Sequence, residues 1–238
     1  MAQNSERAVV MGGTSGIGEA TARHLVEAGC EVVVTGRDRE RLAAALGRLP
    51  GARGESVDGT SADDVRRFFA GVGPFDHLVL ALSGGKGAGP VATLSLDDLR
   101  SGFEAKFFAH LTSLQAALPY VRGSITLVGA ISAHAALRGT AGLAAINAAV
   151  EALVRPLAAE LAPVRVNAVS PGVIDTPWWD AMPTDAKDGY FSQAAASLPV
   201  RRVGRPDDVA QAIVMLARNG FVTGSVVTVD GGAHLAIG

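Results

Sequence analysis

Four glycines within seven residues mark the first place in this chain where chemistry is possible. Gly12-Gly13-Thr14-Ser15-Gly16-Ile17-Gly18 follows Arg7-Ala8-Val9-Val10-Met11, which reads as a short buried strand, and precedes a helical stretch over 19–27. Glycines at 12, 16 and 18 let the backbone turn tightly, approach a ligand closely and seat a helix on a strand. The free N–H groups and positive dipole end of that helix then form a diphosphate site. Thr14, Ser15 and Ile17 complete the turn and belong to the expected contacts. A second position bears on the ligand. In dinucleotide folds an acid ending the second strand holds a ribose 2′-hydroxyl, whereas arginine suits a 2′-phosphate. Here the strand ends Val34-Thr35-Gly36-Arg37. Gly36 takes the acidic position, and the Arg37 guanidinium can grip a phosphate through two parallel N–H groups. NADP(H) is therefore expected over NAD(H).

The elements that position these residues alternate. Strands are predicted near 7–11, 31–35, 54–57, 77–82, 124–128, 164–169 and 225–229. Helices are predicted near 17–28, 38–48, 61–71, 95–120, 139–162 and 207–218. Short, continuous Val/Leu/Ile runs suit a parallel sheet covered on both faces, and strand–helix alternation with right-handed crossovers gives a doubly wound α/β fold in one domain over 1–238. Residues 172–203 break the rhythm. They hold Gly172, Pro177, Pro183 and Pro199, adjacent Trp178 and Trp179, and no clear strand. Such a stretch reads as a substrate lid leaving the ligand-binding edge of the sheet. Adjacent tryptophans in an extended stretch point to opposite sides, so at most one is expected to line a pocket.

Bulk properties narrow the classes. The chain has 238 residues, 48% apolar content and a net charge of −2. It is long enough for a full core, and the charge implies neither nucleic acid nor an anionic membrane as partner. Cys30 is the lone cysteine and is expected to be a small buried side chain. No signal-like apolar region is read near the start, and no apolar run near the ~18 residues a span requires, so a cytoplasmic protein is expected. The five histidines are scattered without ligand spacing, so no metal site is expected.

Several spaced motifs now agree. To the glycine turn are added Asp58 after the third strand, Asn167-Ala168-Val169-Ser170-Pro171-Gly172-Val173-Ile174-Asp175-Thr176, Arg202-Val203-Gly204-Arg205-Pro206-Asp207-Asp208-Val209-Ala210, and Val222-Thr223-Gly224 with Val229-Asp230-Gly231-Gly232. Over nearly its whole length the chain resembles the short-chain dehydrogenase/reductase family. The resemblance implies a Rossmann-type three-layer sandwich on a seven-stranded parallel sheet, commonly assembled as a tetramer. It places Asp58 near an adenine, and Pro171, Gly172, Val173, Ile174 and Thr176 in a turn beside the nicotinamide. Ser15 stands where NADP-binding relatives often carry a second basic residue.

The same resemblance brings the catalytic half into question. The family's carbonyl chemistry uses a tyrosine, a lysine four residues later, a serine thirteen before the tyrosine, and an asparagine on an earlier helix. The run Ala148-Ala149-Val150-Glu151-Ala152-Leu153 sets the register of the later helix. It puts Leu143 at the tyrosine position, Asn147 at the lysine position and Ala130 at the serine position. The run Gln115-Ala116-Ala117-Leu118-Pro119 puts Lys106 at the asparagine position. Leu80-Ala81-Leu82-Ser83-Gly84-Gly85 replaces the family's Asn-Asn-Ala-Gly stretch. Leucine cannot exchange a proton, and alanine cannot hydrogen-bond a carbonyl. Asn147 can still meet the nicotinamide ribose but supplies no charge. Lys106 and Ser132 become the candidate catalytic groups: Lys106 to stabilise an oxyanion or relay a proton, or else to pair with Glu104 or an interface carboxylate, and Ser132 to hold substrate. His134 reads as an exposed loop histidine, and Tyr190 as a residue of the lid segment.

Magnitudes keep hydride transfer open. A placed general acid is worth ~10²–10⁴ in rate, while positioning two reactants yields effective molarities of ~10⁵–10⁸ M. An iminium, quinone or conjugated enone needs less protonation than a simple ketone. The leading expectation is an NADP(H)-dependent oxidoreductase acting on an apolar or activated acceptor, assembled as a tetramer or dimer. The alternatives are a redox-silent NADP(H)-binding protein and a non-redox, cyclase- or lyase-like enzyme using the same pocket.

Overall fold

The strands pair in the order β3-β2-β1-β4-β5-β6-β7, all parallel, in one seven-stranded sheet. They are β1 Arg7–Met11, β2 Glu31–Gly36, β3 Ala52–Ser56, β4 Phe75–Leu80, β5 Val121–Val128, β6 Arg165–Pro171 and β7 Val226–Val229. The computed structural model describes residues 5–235. Alternation along β1 shows why both faces must be covered: Val9 and Met11 enter one core, Ala8 and Val10 the other. Helices α1 Gly16–Glu27, α2 Arg39–Arg48 and α9 Pro206–Arg218 cover one face with Leu25, Leu42 and Ile213. Helices α3 Ala62–Val72, α5 Ala109–Ala117, α6 Ala141–Ala152 and α7 Val154–Glu160 cover the other with Phe68, Leu114 and Val150. This is the expected doubly wound, three-layer Rossmann-type sandwich. Strand order reverses between β1 and β4, and a crevice beyond the carboxyl ends of such strands is where open α/β sheets take ligands.

Three local features differ from expectation. The stretch predicted as one helix over 95–120 is α4 Leu96–Phe103, a π-helical turn Glu104–Phe108, and α5. Hydrophobic period alone does not reveal one extra residue in a turn. The irregular segment 172–203 contains a three-residue helical turn, Pro177–Trp179, and the helix α8 Thr184–Ser197. None of the α8 residues is buried, so α8 carries no apolar stripe to signal it. Finally, Ala141–Glu160 is long and apolar enough to cross a membrane by length and composition. It nevertheless carries buried Asn147 and Glu151 and forms part of the sandwich layer.

Candidate active site

The turn between β1 and α1 is built as a cradle. Gly12 and Gly13 donate their N–H groups to Thr35 O at 3.1 and 3.0 Å, which folds the chain back over the end of β2. Gly16 has φ +54°, a left-handed conformation that favours glycine. A Cβ on Gly18 would lie 2.1 Å from Gly12 O, so the helix can seat this close only on glycine. Ser15, the residue before α1, makes no side-chain cap. The first N–H groups of the helix therefore keep their donors for an anion. These features fit a dinucleotide diphosphate.

The second-strand end fits the 2′-phosphate form. A Cβ on Gly36 would sit 2.4 Å from Thr14 Cγ2, so any side chain there would require Thr14 to move. The nearby acid, Asp38, is committed: its Oδ1 accepts the backbone N–H of Glu40 and Arg41 at 2.9 and 3.0 Å. These helix-start bonds, the one from Arg41 foremost, hold its pKa down. The exposed Arg37 guanidinium makes no ion pair among the described residues. Asp58, after β3, accepts Thr60 N and Thr60 Oγ1 on one carboxylate oxygen at 3.0 and 2.8 Å and leaves the other free.

The chain leaving β6 crosses this cradle. Gly172 N donates to Val229 O at 3.0 Å, and Ile174 bridges to Gly204, with Asp175 N donating to Gly204 O at 2.9 Å. These bonds carry Pro171, Gly172, Val173 and Ile174 to Thr176, whose Cβ would be 3.2 Å from a Cβ on Gly16. The two groups expected to flank one cofactor are thus brought together. Beyond Thr176, Trp178 and Trp179 lie on a helical turn rather than an extended strand. Their rings meet edge to face at 4.7 Å, which corrects the opposite-sides expectation. Trp179 Nε1 donates to Ile174 O at 2.9 Å, and Tyr190 of α8 lies against the Trp179 ring at 5.0 Å. Lys187 ties α8 down through Asp175 at 3.1 Å. Tyr190 therefore belongs to the aromatic stack with Trp179, and burial pushes its pKa up.

At the carboxyl end of β5 lies a buried polar cluster. The Lys106 side chain leaves the π-helical turn, and Nζ donates to Asn147 Oδ1 at 2.6 Å and to Gly129 O at 3.1 Å. Asn147 Nδ2 donates to Ser132 Oγ at 3.0 Å and to Leu143 O at 2.9 Å. Both amide protons are spent, so Asn147 offers a ribose only the second lone pair of Oδ1. Lys106, Asn147 and Ser132 thus form one chain of hydrogen bonds. Ala130 stands at its edge, and Leu143 adds only a backbone carbonyl. Lys106 pairs with Asn147 rather than Glu104. Its residue is 8% exposed, and burial lowers the amine from 10.5 to about 8, with Glu151 opposing the shift.

Two participants were not singled out from the sequence. Glu151 follows Asn147 by one helical turn and is buried, with Oε1 lacking a partner. A Cβ on Gly129 would lie 2.3 Å from that oxygen, so glycine at 129 makes room for the carboxylate. The other oxygen is hydrogen-bonded to His134, which is half exposed but paired rather than a free loop histidine. His110 is fully buried four residues after Lys106. An acid on an apolar helix and the (i, i+4) spacings were the available signals.

Comparison with known proteins adds to this geometry. The family model described as enoyl-(acyl carrier protein) reductase matches residues 12–234. A curated relative, short-chain dehydrogenase/reductase ATR9 of Stachybotrys chlorohalonatus, is 31% identical, covering 95% of this chain and 96% of its own. Among solved structures, a small-chain dehydrogenase in complex with NADPH is similar with a TM-score of 0.86 and 32% identity, covering 98% of this chain and 100% of its own. MalC reductase/Diels-Alderase from Malbranchea aurantiaca is similar with a TM-score of 0.89 and 25% identity, covering 98% of this chain and 97% of its own.

Proposed function

Because the chain belongs to the short-chain dehydrogenase/reductase family, we propose that this oxidoreductase uses NADP(H) and reduces an apolar or activated carbonyl, imine or enone-like acceptor with Lys106 as proton donor. The observation that carries the proposal is the Lys106 ammonium, held between Asn147 Oδ1 and Gly129 O at the carboxyl edge of the sheet. Two of its three protons serve those acceptors, leaving the third for a substrate atom. An amine with a pKa near 8 is a far better acid at neutral pH than an ordinary lysine. Ser132 is the second group offered to substrate, through Oγ. Leu143, at the family's tyrosine register, contributes an apolar wall, which favours acceptors that need little protonation.

The residues that would hold the cofactor are Gly12, Thr14, Ser15, Gly16, Ile17 and Gly18 at the diphosphate, Arg37 at the 2′-phosphate, Asp58 near the adenine, and Pro171 to Ile174 with Thr176 and Asn147 beside the nicotinamide. When bound, the cofactor supplies hydride. The relative solved with NADPH supports the 2′-phosphate form. Assembly as a homo-oligomer, tetramer or dimer, is part of the proposal. Its support is the exposed apolar surface at Leu96 and Phe108 on the α4 and π-helical stretch.

The test is loss of reduced-nicotinamide absorbance against simple ketones, enones, quinones and cyclic imines, with wild type and Lys106→Met. Turnover of activated acceptors, falling ~10²–10⁴-fold in the variant, is expected for a general acid. Unchanged turnover in the variant removes Lys106 from the mechanism. The neighbour named reductase/Diels-Alderase favours one second reading, a non-redox reaction in the same pocket. Product formed without nicotinamide oxidation would select it.

A further inference from the structure

The hydrogen bonds that join Lys106, Asn147 and Ser132 can run in one direction only. The Lys106 ammonium has protons to give and no lone pair, so the atom 2.6 Å from its Nζ must be the Asn147 amide oxygen. The Leu143 carbonyl oxygen, 2.9 Å from the other end of the same amide, only accepts, so that end must be the NH2 group. Turning the amide over would set donor against donor at Lys106 and acceptor against acceptor at Leu143. With one Nδ2 proton on Leu143 O, the other goes to Ser132 Oγ at 3.0 Å, and the serine is the acceptor. Its own hydroxyl proton is left over and reaches no acceptor among the described residues. The third Lys106 proton is left over in the same way. Both residues are 8% exposed, so bulk water does not freely take either proton. Buried donors without an acceptor are costly, and this pair calls for one from outside the chain.

We propose that Asn147 is a positioning residue that makes Ser132 a donor, and that Ser132 and Lys106 together select a carbonyl oxygen over an imine or iminium nitrogen. The inference rests on the redox reading above and narrows its acceptors to carbonyl compounds, conjugated enones and quinones among them. The discrimination is one of lone pairs. A carbonyl oxygen carries two, and so takes the Ser132 O–H and a Lys106 N–H at once. A neutral imine nitrogen carries one and leaves a buried donor unmet. An iminium nitrogen carries none and brings a positive charge up to the ammonium. Leaving a polar group of the site unpaired is how a binding site rejects a molecule of nearly the same shape. In the reaction, hydride arrives at carbon with its electron pair, and the carbon–oxygen π pair moves onto oxygen, directly or through a conjugated double bond. Oxygen then takes a proton from Lys106, which becomes a neutral amine. Ser132 keeps its proton and holds the developing charge.

Naphthoquinone and the N-methyl-dihydroisoquinolinium ion are fused two-ring acceptors of similar size that differ in the atom they present. Their kcat/KM values with NADPH would be compared. Wild type should favour the quinone at least about tenfold. Ser132→Ala should lower the quinone value roughly ten- to a hundredfold, the worth of a hydrogen bond to a charged oxygen, and change the iminium value less than about threefold. Asn147→Asp keeps the shape but only accepts, so the Ser132 hydroxyl turns to it. Removing that hydroxyl in the Asn147→Asp background should then cost the quinone less than about twofold, a non-additivity that lost packing would not give. If the aspartate variant does not fold, Asn147→Leu takes its place: it gives the hydroxyl no set direction, and Ser132→Ala should cost less there than in wild type. A further readout needs no turnover. Para-nitrophenolate, a stable oxyanion, would be titrated by absorbance into protein saturated with NADP+; wild type should bind it, and Ser132→Ala about tenfold more weakly. Equal losses on both acceptors, no loss on the quinone, equal use of the two acceptors by wild type, or full additivity with the Asn147 variant overturns the proposal. So does weaker NADPH binding in Ser132→Ala with acceptor preference unchanged, which would give the hydroxyl to the cofactor. Failure of the redox reading is separate: neither acceptor is reduced, and the phenolate titrations then decide, with equal binding by wild type and Ser132→Ala, or none by wild type, overturning the proposal.

Discussion

Exchange of Lys106 for methionine tests the buried amine without any assay of catalysis. The folded amine titrates near 8, against 10.5 for an ordinary lysine. The folded state therefore binds this proton less tightly than the unfolded chain does. Below pH 8 the ammonium costs the folded state its full penalty, and the penalty fades as pH rises from about 8 to 10.5. The gap corresponds to about 3 kcal/mol at ~1.4 kcal/mol per tenfold change in proton affinity. Between pH 7 and pH 9.5, about 2 kcal/mol of it should be recovered. Methionine fills similar volume and binds no proton, so the variant recovers none of this. It does leave Asn147 Oδ1 and Gly129 O without their donor, at ~1–3 kcal/mol each. That offset does not depend on pH, so the informative quantity is the slope. Urea unfolding followed by far-UV circular dichroism at the two pH values measures it. Wild type should gain about 2 kcal/mol relative to Lys106→Met on going to pH 9.5. Parallel pH dependence in the two proteins refutes the desolvated ammonium. A relative loss means that attraction to Glu151 outweighs burial.

Two further outcomes follow from the same geometry. Arg37→Ala should weaken NADPH binding roughly ten- to a hundredfold, the worth of a charge-assisted pair, and leave NADH binding within about twofold. Fluorescence titration of both nucleotides measures this, and equal losses would show that Arg37 does not read the phosphate. Glu151→Gln removes the one charge that raises the Lys106 pKa. The high-pH limb of turnover, which reports the protonated amine, should then move below pH 8, and a move upward would contradict attraction between the two groups.

The glycine turn was legible because its constraints are local. Glycine at 16 answers a positive φ, and glycine at 18 answers the approach of Gly12 O, so residue type and spacing carry the geometry directly. The same holds for Gly36, whose missing side chain answers Thr14. The central strands β1, β2, β4 and β6 were legible because each is buried almost throughout, whereas the edge strand β3, Ala52–Ser56, is largely exposed. Helix α8 was not, since it buries no residue and so has no apolar stripe for a period to reveal. The pairing of Lys106 with Asn147 was not legible either. It joins residues 41 apart across two helices, and its distance depends on a π-helical turn that residue spacing does not announce.

That turn bears on the mechanism as well as on the reading of the sequence. The resemblance brings an amide from the earlier helix and an amine from the later one; here Lys106 and Asn147 supply them the other way round. An amine entering from the earlier helix arrives through a slot walled by Gly129 and by the strand ends, not from the helix that bears Leu143. It is therefore drier, and burial lowers its proton affinity by its own location rather than through a neighbouring charge. Such a group can serve as an acid by itself, with no tyrosine to be tuned. The arrangement works only if the side chain keeps to the slot, since a lysine free to reach water returns to its ordinary pKa and is a poor acid. Placing the site's proton on Lys106 thus makes the backbone at 106 part of the chemistry.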